Sequence, residues 1–302
     1  MTTRILVPLD GSLLAEQGLA CAITLGRALP AELLLLRVVS VPPETADVLD
    51  SAGLETAMLA ERLDSEADAY LREVAVELRD VGLTVDHAVR HGPVSEVIVD
   101  YAAGHDVDQI VMTTHGRTGV SRWTHGSIAE RVLQSATVPL LLVRAREREP
   151  AAPRTPVLLR RILVPLDGSA VAEQVLPWVT TAAGALGAHV ILFQVPVVYL
   201  SGWLLGEFYI PIHGILETAE KDAQAYLDGV ADRLIQQGVD VSTGMRIGTV
   251  AEAIISYASA NAIDLIAMCT HGRTGLDRWT LGSVADRVLR GSRTPILLVR
   301  AH

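Results

Sequence analysis

Short runs of aliphatic residues alternate along the chain with longer stretches in which apolar positions recur every three or four residues. Arg4–Leu9 is such a run and stops at Asp10-Gly11-Ser12. An apolar run bounded by turn residues reads as a buried strand. Ser12 is placed to cap a helix running to about Leu29. Leu33–Val39 is a second buried strand, and Leu54–Val81 has helical spacing with charged exposed positions. Val85–Val89 alternates as a third strand, and Pro93–Ala103 is a helix with Pro in its first turn. Gln109–Thr113 is a fourth strand, Ser127–Gln134 a helix and Leu140–Arg144 a fifth strand. Strand and helix in strict alternation predict a parallel sheet with helices on both faces.

The same pattern then starts again. RILVPLDGS at 4–12 returns at 161–169, and GPVSEVIVDYA at 92–102 returns as GTVAEAIISYA at 248–258. HGRTG at 115–119 returns at 271–275, GSIAERVL at 126–133 as GSVADRVL at 282–289, and VPLLLVRA at 138–145 as TPILLVRA at 294–301. Between 115–144 and 271–300 about two thirds of the positions are identical. Spacing that holds over five segments means one α/β domain written twice. The reading is domain 1 at 1–146, a Pro- and Arg-rich linker at 147–159 and domain 2 at 160–302. Each domain is expected to be a doubly wound, Rossmann-like, five-stranded parallel sheet in the order 3-2-1-4-5.

Composition narrows the partners. The 302 residues carry a formal net charge of −10, half are apolar and a fifth are charged. An acidic chain is a poor match for nucleic acid phosphates or an anionic membrane surface, so neither is expected as a partner. Cys21 and Cys269 are the two cysteines and belong to no CxxC pair, which suggests neither a disulfide framework nor zinc and fits a reducing cytoplasm. The start, MTTRILVPLDGS, reads as a strand and not as a signal peptide. Residues 190–212 are apolar enough to raise a membrane span. Gln194, Glu207, Pro196 and Pro211 argue against it, and the repeat makes Val190–Val195 a strand.

Open α/β sheets hold ligands outside the carboxyl ends of strands where strand order reverses. Three segments of each copy converge there: Leu9-Asp10-Gly11, Val38-Val39, and the turn from Thr113 to Ser127, whose counterpart runs from Cys269 to Ser283. A helix N-terminus offers unpaired N–H groups and a partial positive charge, which attract phosphate. Gly126 before Ser127 and Gly116 at the strand exit remove side-chain bulk from the backbone. Arg117 and Arg122 add positive charge, while the second copy keeps Arg273 and Arg278 and adds Asp277. The same residues also fit an ordinary helix start, because Ser127-Ile-Ala-Glu130 and Ser283-Val-Ala-Asp286 are capping-box patterns. Neither a P-loop nor GxGxxG is present.

These residues carry a resemblance to tandem members of the universal stress protein family. Its ATP-binding members show Gly-x2-Gly-x9-Gly-Ser/Thr after the fourth strand. Here Gly116, nine residues, Gly126 and Ser127 match, as do Gly272, nine residues, Gly282 and Ser283. The first motif glycine is replaced, by Thr113 in one copy and Cys269 in the other. The resemblance implies an adenine nucleotide, ATP or AMP, with Mg²⁺ reached through the phosphates. It assigns Asp10 and Asp167, on the turns Pro8-Leu9-Asp10 and Pro165-Leu166-Asp167, to the adenosine part. Val38 and Val195 would meet the adenine edge through their backbones. Gly116, Gly126, Ser127 and Ile128 would hold phosphate and ribose, as would Gly272, Gly282, Ser283 and Val284. It further implies that the two fifth strands pair within one chain as a pseudo-dimer, with a homodimer of chains as a further step.

His115 and His271 sit at identical places in the turn and read as loop hydrogen-bonders beside the site, because no nucleophile or carboxylate is spaced to use them as a base. His87 and His91 straddle the end of the third strand, a poor arrangement for a metal. Trp123 and Trp279 read as packing beneath the turn. Cys269 reads as a small buried residue in preference to a redox sensor. Tyr199, Trp203, Phe208 and Tyr209 crowd a connection that is polar in the first copy, which suits a lid, a surface for a protein partner, or a loop folded on its own domain. A phosphate turn without a catalytic constellation points to a protein that acts by binding, and the resemblance implies an adenine-nucleotide-binding stress-response protein. Slow ATP hydrolysis or autophosphorylation at Ser127 or Thr118, and a ligand-free interaction module, are the alternatives.

Overall fold

The computed structural model describes residues 2–40, 56–114, 127–145, 155–196, 212–270 and 282–301. The chain divides between Leu158 and Leu159 into two compact units.

Unit 1 contains β1 (Arg4–Pro8), α1 (Leu13–Glu16), α2 (Leu19–Ala28), β2 (Glu32–Val39), α3 (Thr56–Asp80), β3 (Thr84–His91), α4 (Val94–Gly104), β4 (Gln109–Thr113), α5 (Ser127–Ser135) and β5 (Leu140–Val143). Its strands are ordered β3-β2-β1-β4-β5, and every pair is parallel. Unit 2 contains β6 (Arg161–Pro165), a 3₁₀ turn (Ala172–Val175), α6 (Leu176–Leu186), β7 (His189–Gln194), α7 (Ile212–Gln236), β8 (Val241–Met245), α8 (Val250–Ala260), β9 (Leu265–Thr270), α9 (Ser283–Gly291) and β10 (Ile296–Arg300). Its order is β8-β7-β6-β9-β10, again parallel throughout. The doubly wound 3-2-1-4-5 sheet is therefore present in both units, and the order reverses between β1 and β4 and between β6 and β9.

The cores explain why short aliphatic runs suffice. Ile5, Leu6, Val7, Leu33, Leu35 and Leu36 of unit 1 are fully buried, as are Ile162, Leu163, Val164, Leu192 and Phe193 of unit 2. A strand covered on both faces has no polar side to show, so it reads as continuous and not alternating.

Two expectations need correction. The helix read from Ser12 to about Leu29 is broken: α1 ends at Glu16 and α2 begins at Leu19. Gly18 sits at the break, with low helix propensity. In unit 2 the same place is a 3₁₀ turn, because Pro177 at the start of α6 has no N–H to give to an earlier carbonyl. The third strand is also longer than read and reaches His91, because its register with β2 runs from Glu32–Thr84 to Val39–His91. Among the described residues no helix is long and apolar enough to cross a membrane, and Val190–Gln194 lies in β7.

Candidate functional site

The turn after the first strand is built identically in both units. Asp10 Oδ1 accepts from the Ser12 N–H at 2.9 Å and from its hydroxyl at 2.6 Å, and Ser12 Oγ accepts the Ala15 N–H at 3.1 Å. Asp167, Ser169 and Ala172 repeat these contacts at 2.9, 2.6 and 3.1 Å. Gly11 and Gly168 make the bend at φ +81° and +85°, a region that L side chains avoid. Leu9 and Leu166 are buried and tie their N–H groups to Leu36 and Phe193 carbonyls, at 2.8 Å each. Only their backbones face the edge. Pro8 and Pro165 close the strands and are half-buried.

Beside this turn stands the end of the second strand, where Val38 is half-buried and Val195 is buried. The preceding residue differs between the units. In unit 1 the Arg37 guanidinium lies over the Tyr70 ring, 5.3 Å from its centroid, and Nη1 comes within 3.2 Å of the point a Cβ on Gly11 would take. In unit 2 the Gln194 amide nitrogen lies 3.9 Å from the corresponding point on Gly168. Its Oε1 is buried and accepts no hydrogen bond. Behind both, a tyrosine of the long helix bonds a glutamate of the first: Tyr70 to Glu16 at 2.9 Å and Tyr226 to Glu173 at 3.0 Å. Unit 2 adds Arg233, whose Nη2 meets Glu173 Oε2 at 2.6 Å. Burial first, and then the Glu173 carboxylate, push the Tyr226 phenol well above its ordinary value.

The fourth strand brings in the replaced motif position. Thr113 is buried at 7% exposure, and its Cγ2 lies 3.6 Å from the point a Cβ on Gly18 would occupy. Cys269 is half-buried, more open than the buried residue expected, because its strand ends at the carboxyl edge. Burial nonetheless raises its thiol from 9.0 to about 11, against a lowering hydrogen bond from the Thr270 backbone, and the Asp167 charge adds to the rise. The first- and fourth-strand segments of unit 2 lie together because β6 pairs with β9.

The helix that follows opens differently from the capping-box expectation. Gly282 is the N-cap of α9, at φ −53° and ψ 144°, and no side chain caps the helix. Ser283 is already the first helical residue and is exposed, Val284 is half-buried, and Asp286 pairs with Arg290 at 2.9 Å in place of reaching back. In unit 1 the helix also opens at Ser127, with Ile128 exposed. Residues 115–126 and 271–281 lie outside the described residues. His115, Gly116, Arg117, Gly126, His271, Gly272 and Arg273 are among them, with Trp123 and Trp279, and so is the aromatic segment 199–209.

A family model described as the universal stress protein family matches residues 1–144 and again 159–300. The chain belongs to the universal stress protein family. A universal stress protein of Methanocaldococcus jannaschii is 33% identical over 147 residues, 47% of this chain and 83% of that protein. One from Synechocystis is 25% identical over 318 residues, covering 98% of this chain and 99% of its own length. The two-unit length is thus shared by a relative. Among solved structures, a universal stress protein from Archaeoglobus fulgidus superposes with a TM-score of 0.69 at 18% identity over 98% of both chains, a likeness of fold.

Other polar side chains of this universal stress protein gather on the third strand, whose last residue, His91, pairs with Val39. His87 and His91 belong to β3, and each meets an aspartate of α3: Asp68 at 3.2 Å and Asp64 at 3.0 Å. Together with Asp86 and Arg90 they line a cavity of 440 Å³. No group of three or more metal-capable ligands exists among the described residues. The sequence reading missed Arg37, Gln194 and the paired Tyr–Glu bonds. The signal was available in part, since Ala-Glu-Gln at 15–17 returns at 172–174 and Tyr70 returns as Tyr226.

Proposed function

We propose that this protein binds a nucleotide at the carboxyl edge of each sheet and acts through that binding, with ATP or AMP as the ligand. One observation carries the reading. The α9 helix opens on Gly282 without a side-chain cap, and uncapped first-turn N–H groups are the means by which a helix holds phosphate. The hydrogen-bonded Asp167 turn, at the same sheet edge as Cys269, would meet the nucleoside part, and the repeat extends the argument to Asp10, Thr113 and Ser127. Mg²⁺ would reach the site through the phosphates. The sequence matches at Gly116, Gly126, Gly272 and Gly282 and the basic Arg117 and Arg273 support the same reading.

The test begins with the purified protein. It is denatured and the supernatant examined for released nucleotide, and the refolded or untreated chain is titrated with ATP and AMP in the presence of Mg²⁺. Binding of either, lost in the Gly126→Val, Gly282→Val double variant, is the expected result. Gly282 holds a backbone conformation that valine adopts without strain, so loss there reports blocked phosphate approach. Failure of both nucleotides to bind the untreated chain overturns the proposal.

A further inference from the structure

At the end of the second strand the two units differ in charge at one position. Pro8 is the last residue of β1 and pairs with Leu36, and Pro165 is the last of β6 and pairs with Phe193. Arg37 and Gln194 therefore stand at the same place, one residue beyond their first strand. Each reaches the glycine of the adjacent turn, Gly11 or Gly168. In the sheet order β1 separates β2 from β4, as β6 separates β7 from β9. The carboxyl end of the fourth strand, whose turn leads on to the helix at Ser127 or Ser283, is thus two strand spacings from the end of the second, about 10 Å. A nucleotide with its phosphates at that helix and its base toward the second strand would present the base, and not the phosphates, to residue 37 or 194.

The chemistry of the two side chains is opposite. Gln194 presents a buried Oε1 that accepts nothing. A buried acceptor without a donor is costly, and a ligand N–H relieves it. Its amide nitrogen donates alongside, so the side chain matches the amino group and ring nitrogen of a 6-aminopurine. Arg37 offers donors and no acceptor, with its plane held over the Tyr70 ring. It matches the oxygen and ring nitrogen of a 6-oxopurine and gives nothing to an amino group.

We propose that this position reads the base, so that unit 2 selects a 6-aminopurine nucleotide and unit 1 favours a 6-oxopurine nucleotide. The inference rests on the nucleotide-binding reading and assigns the adenine preference to unit 2.

AMP and inosine monophosphate have the same sugar and phosphate and differ at position 6 of the base, which makes them the probes. In the full chain, Gly126→Val leaves unit 2 open and Gly282→Val leaves unit 1 open. Calorimetric titration of each is expected to give an AMP-to-IMP affinity ratio at least about tenfold larger in unit 2 than in unit 1. Adding Gln194→Arg to the first variant is expected to bring its ratio down to that of unit 1. A readout on the unaltered chain guards against a misfolded variant: the Gln194 side-chain amide resonance is expected to shift with AMP and to stay in place with IMP. Equal ratios in both units, or an unmoved Gln194 amide when AMP binds, overturn the inference and leave the nucleotide reading standing. If the unaltered chain binds neither AMP nor IMP, the nucleotide reading falls and this inference with it.

Discussion

The methyl carbon of Thr113 lies 3.6 Å from the point that a Cβ on Gly18 would occupy. The threonine that replaces the first motif glycine is therefore accommodated inward, against a residue with no side chain. Unit 2 reverses the sizes. There the smaller Cys269 is the last residue but one of β9, which packs on the 3₁₀ turn, and the place of Gly18 is taken by the fully buried Val175. Large against small in one unit and small against large in the other keeps the volume behind the edge similar.

This relationship gives a stability prediction. Gly18 has helical φ and ψ of −67° and −27°, and an added Cβ would meet its nearest neighbours at 3.4, 3.6 and 3.8 Å, ordinary contacts. Gly18→Ala is expected to stabilise unit 1 by about 0.5–1 kcal/mol by restricting the unfolded chain. Gly18→Val adds methyl groups toward Thr113 and is expected to cost about 1–3 kcal/mol. Urea unfolding midpoints of the two variants are the measurement, and they move in opposite directions.

Cys269→Gly restores the motif glycine in unit 2. It is expected to raise nucleotide affinity there several-fold, because a Cβ no longer stands at the strand exit, and to lower stability by about 1 kcal/mol through backbone entropy. Titration of the single-site chain carrying Gly126→Val reads the first effect and thermal unfolding the second. Unchanged affinity with lowered stability would show that the Cβ does not limit approach.

Gly244 in β8 lies under Tyr257, and a Cβ there would stand 2.8 Å from the phenol oxygen and 3.5 Å from the Phe193 ring. The Tyr257 and Phe193 rings are 4.5 Å apart between centroids, and Phe193 is fully buried. Gly244→Ala is expected to destabilise unit 2 by about 1–3 kcal/mol by overpacking. Unit 1 carries Ala88 at this place and Leu36 in place of Phe193, so Ala88→Gly is expected to give no comparable gain. Parallel denaturant titrations compare them.

Alkaline pH is expected to weaken the protein. Burial raises the thiols of Cys21 and Cys269 from 9.0 to about 12 and about 11, and Tyr226 also rises above its ordinary 10.0. A raised folded value means that the unfolded chain releases protons first. The stabilising contribution is complete below about pH 9 and is lost as pH climbs through 11. Melting temperatures from pH 8 to 11 test this. At pH 8 the thiolate fraction of Cys269 is about a hundredfold below that of an unperturbed thiol, so maleimide labelling is expected to be slow and to accelerate tenfold per pH unit.

The sheet was legible in the sequence because buried parallel strands are pure aliphatic runs and because each run occurs twice, with Arg4–Leu9 repeated letter for letter. The turns Asp10-Gly11-Ser12 and Asp167-Gly168-Ser169 were legible for the same reason. The break at Gly18 was not, since a helical pattern with one glycine reads as continuous until the packing at Thr113 is known. The Ser283-Val-Ala-Asp286 pattern fitted an ordinary capped start as well as a phosphate turn, and spacing alone did not reveal that Asp286 has a nearer partner in Arg290, four residues along the same helix. Arg37 and Gln194 fell inside the strands Leu33–Val39 and Val190–Val195 and carried no signal of a site. Their placement depends on register with β1 and β6, which spacing alone does not reveal.

The Tyr–Glu bond behind each edge has a consequence for divergence after duplication. Both copies inherited the bond, but each acquired its neighbouring cation from a different element: Arg37 on β2 in one, Arg233 on α7 in the other. Unit 1 has Glu77 where unit 2 has Arg233. The strand and the long helix are therefore co-adapted within each copy. A chimera that exchanges β2 with β7 alone would gather two guanidinium groups about Tyr226 and strip one from Tyr70. Exchange of the whole strand-to-helix block would carry each charge arrangement across intact, which marks that block, and not the single strand, as the unit in which the two halves have drifted apart.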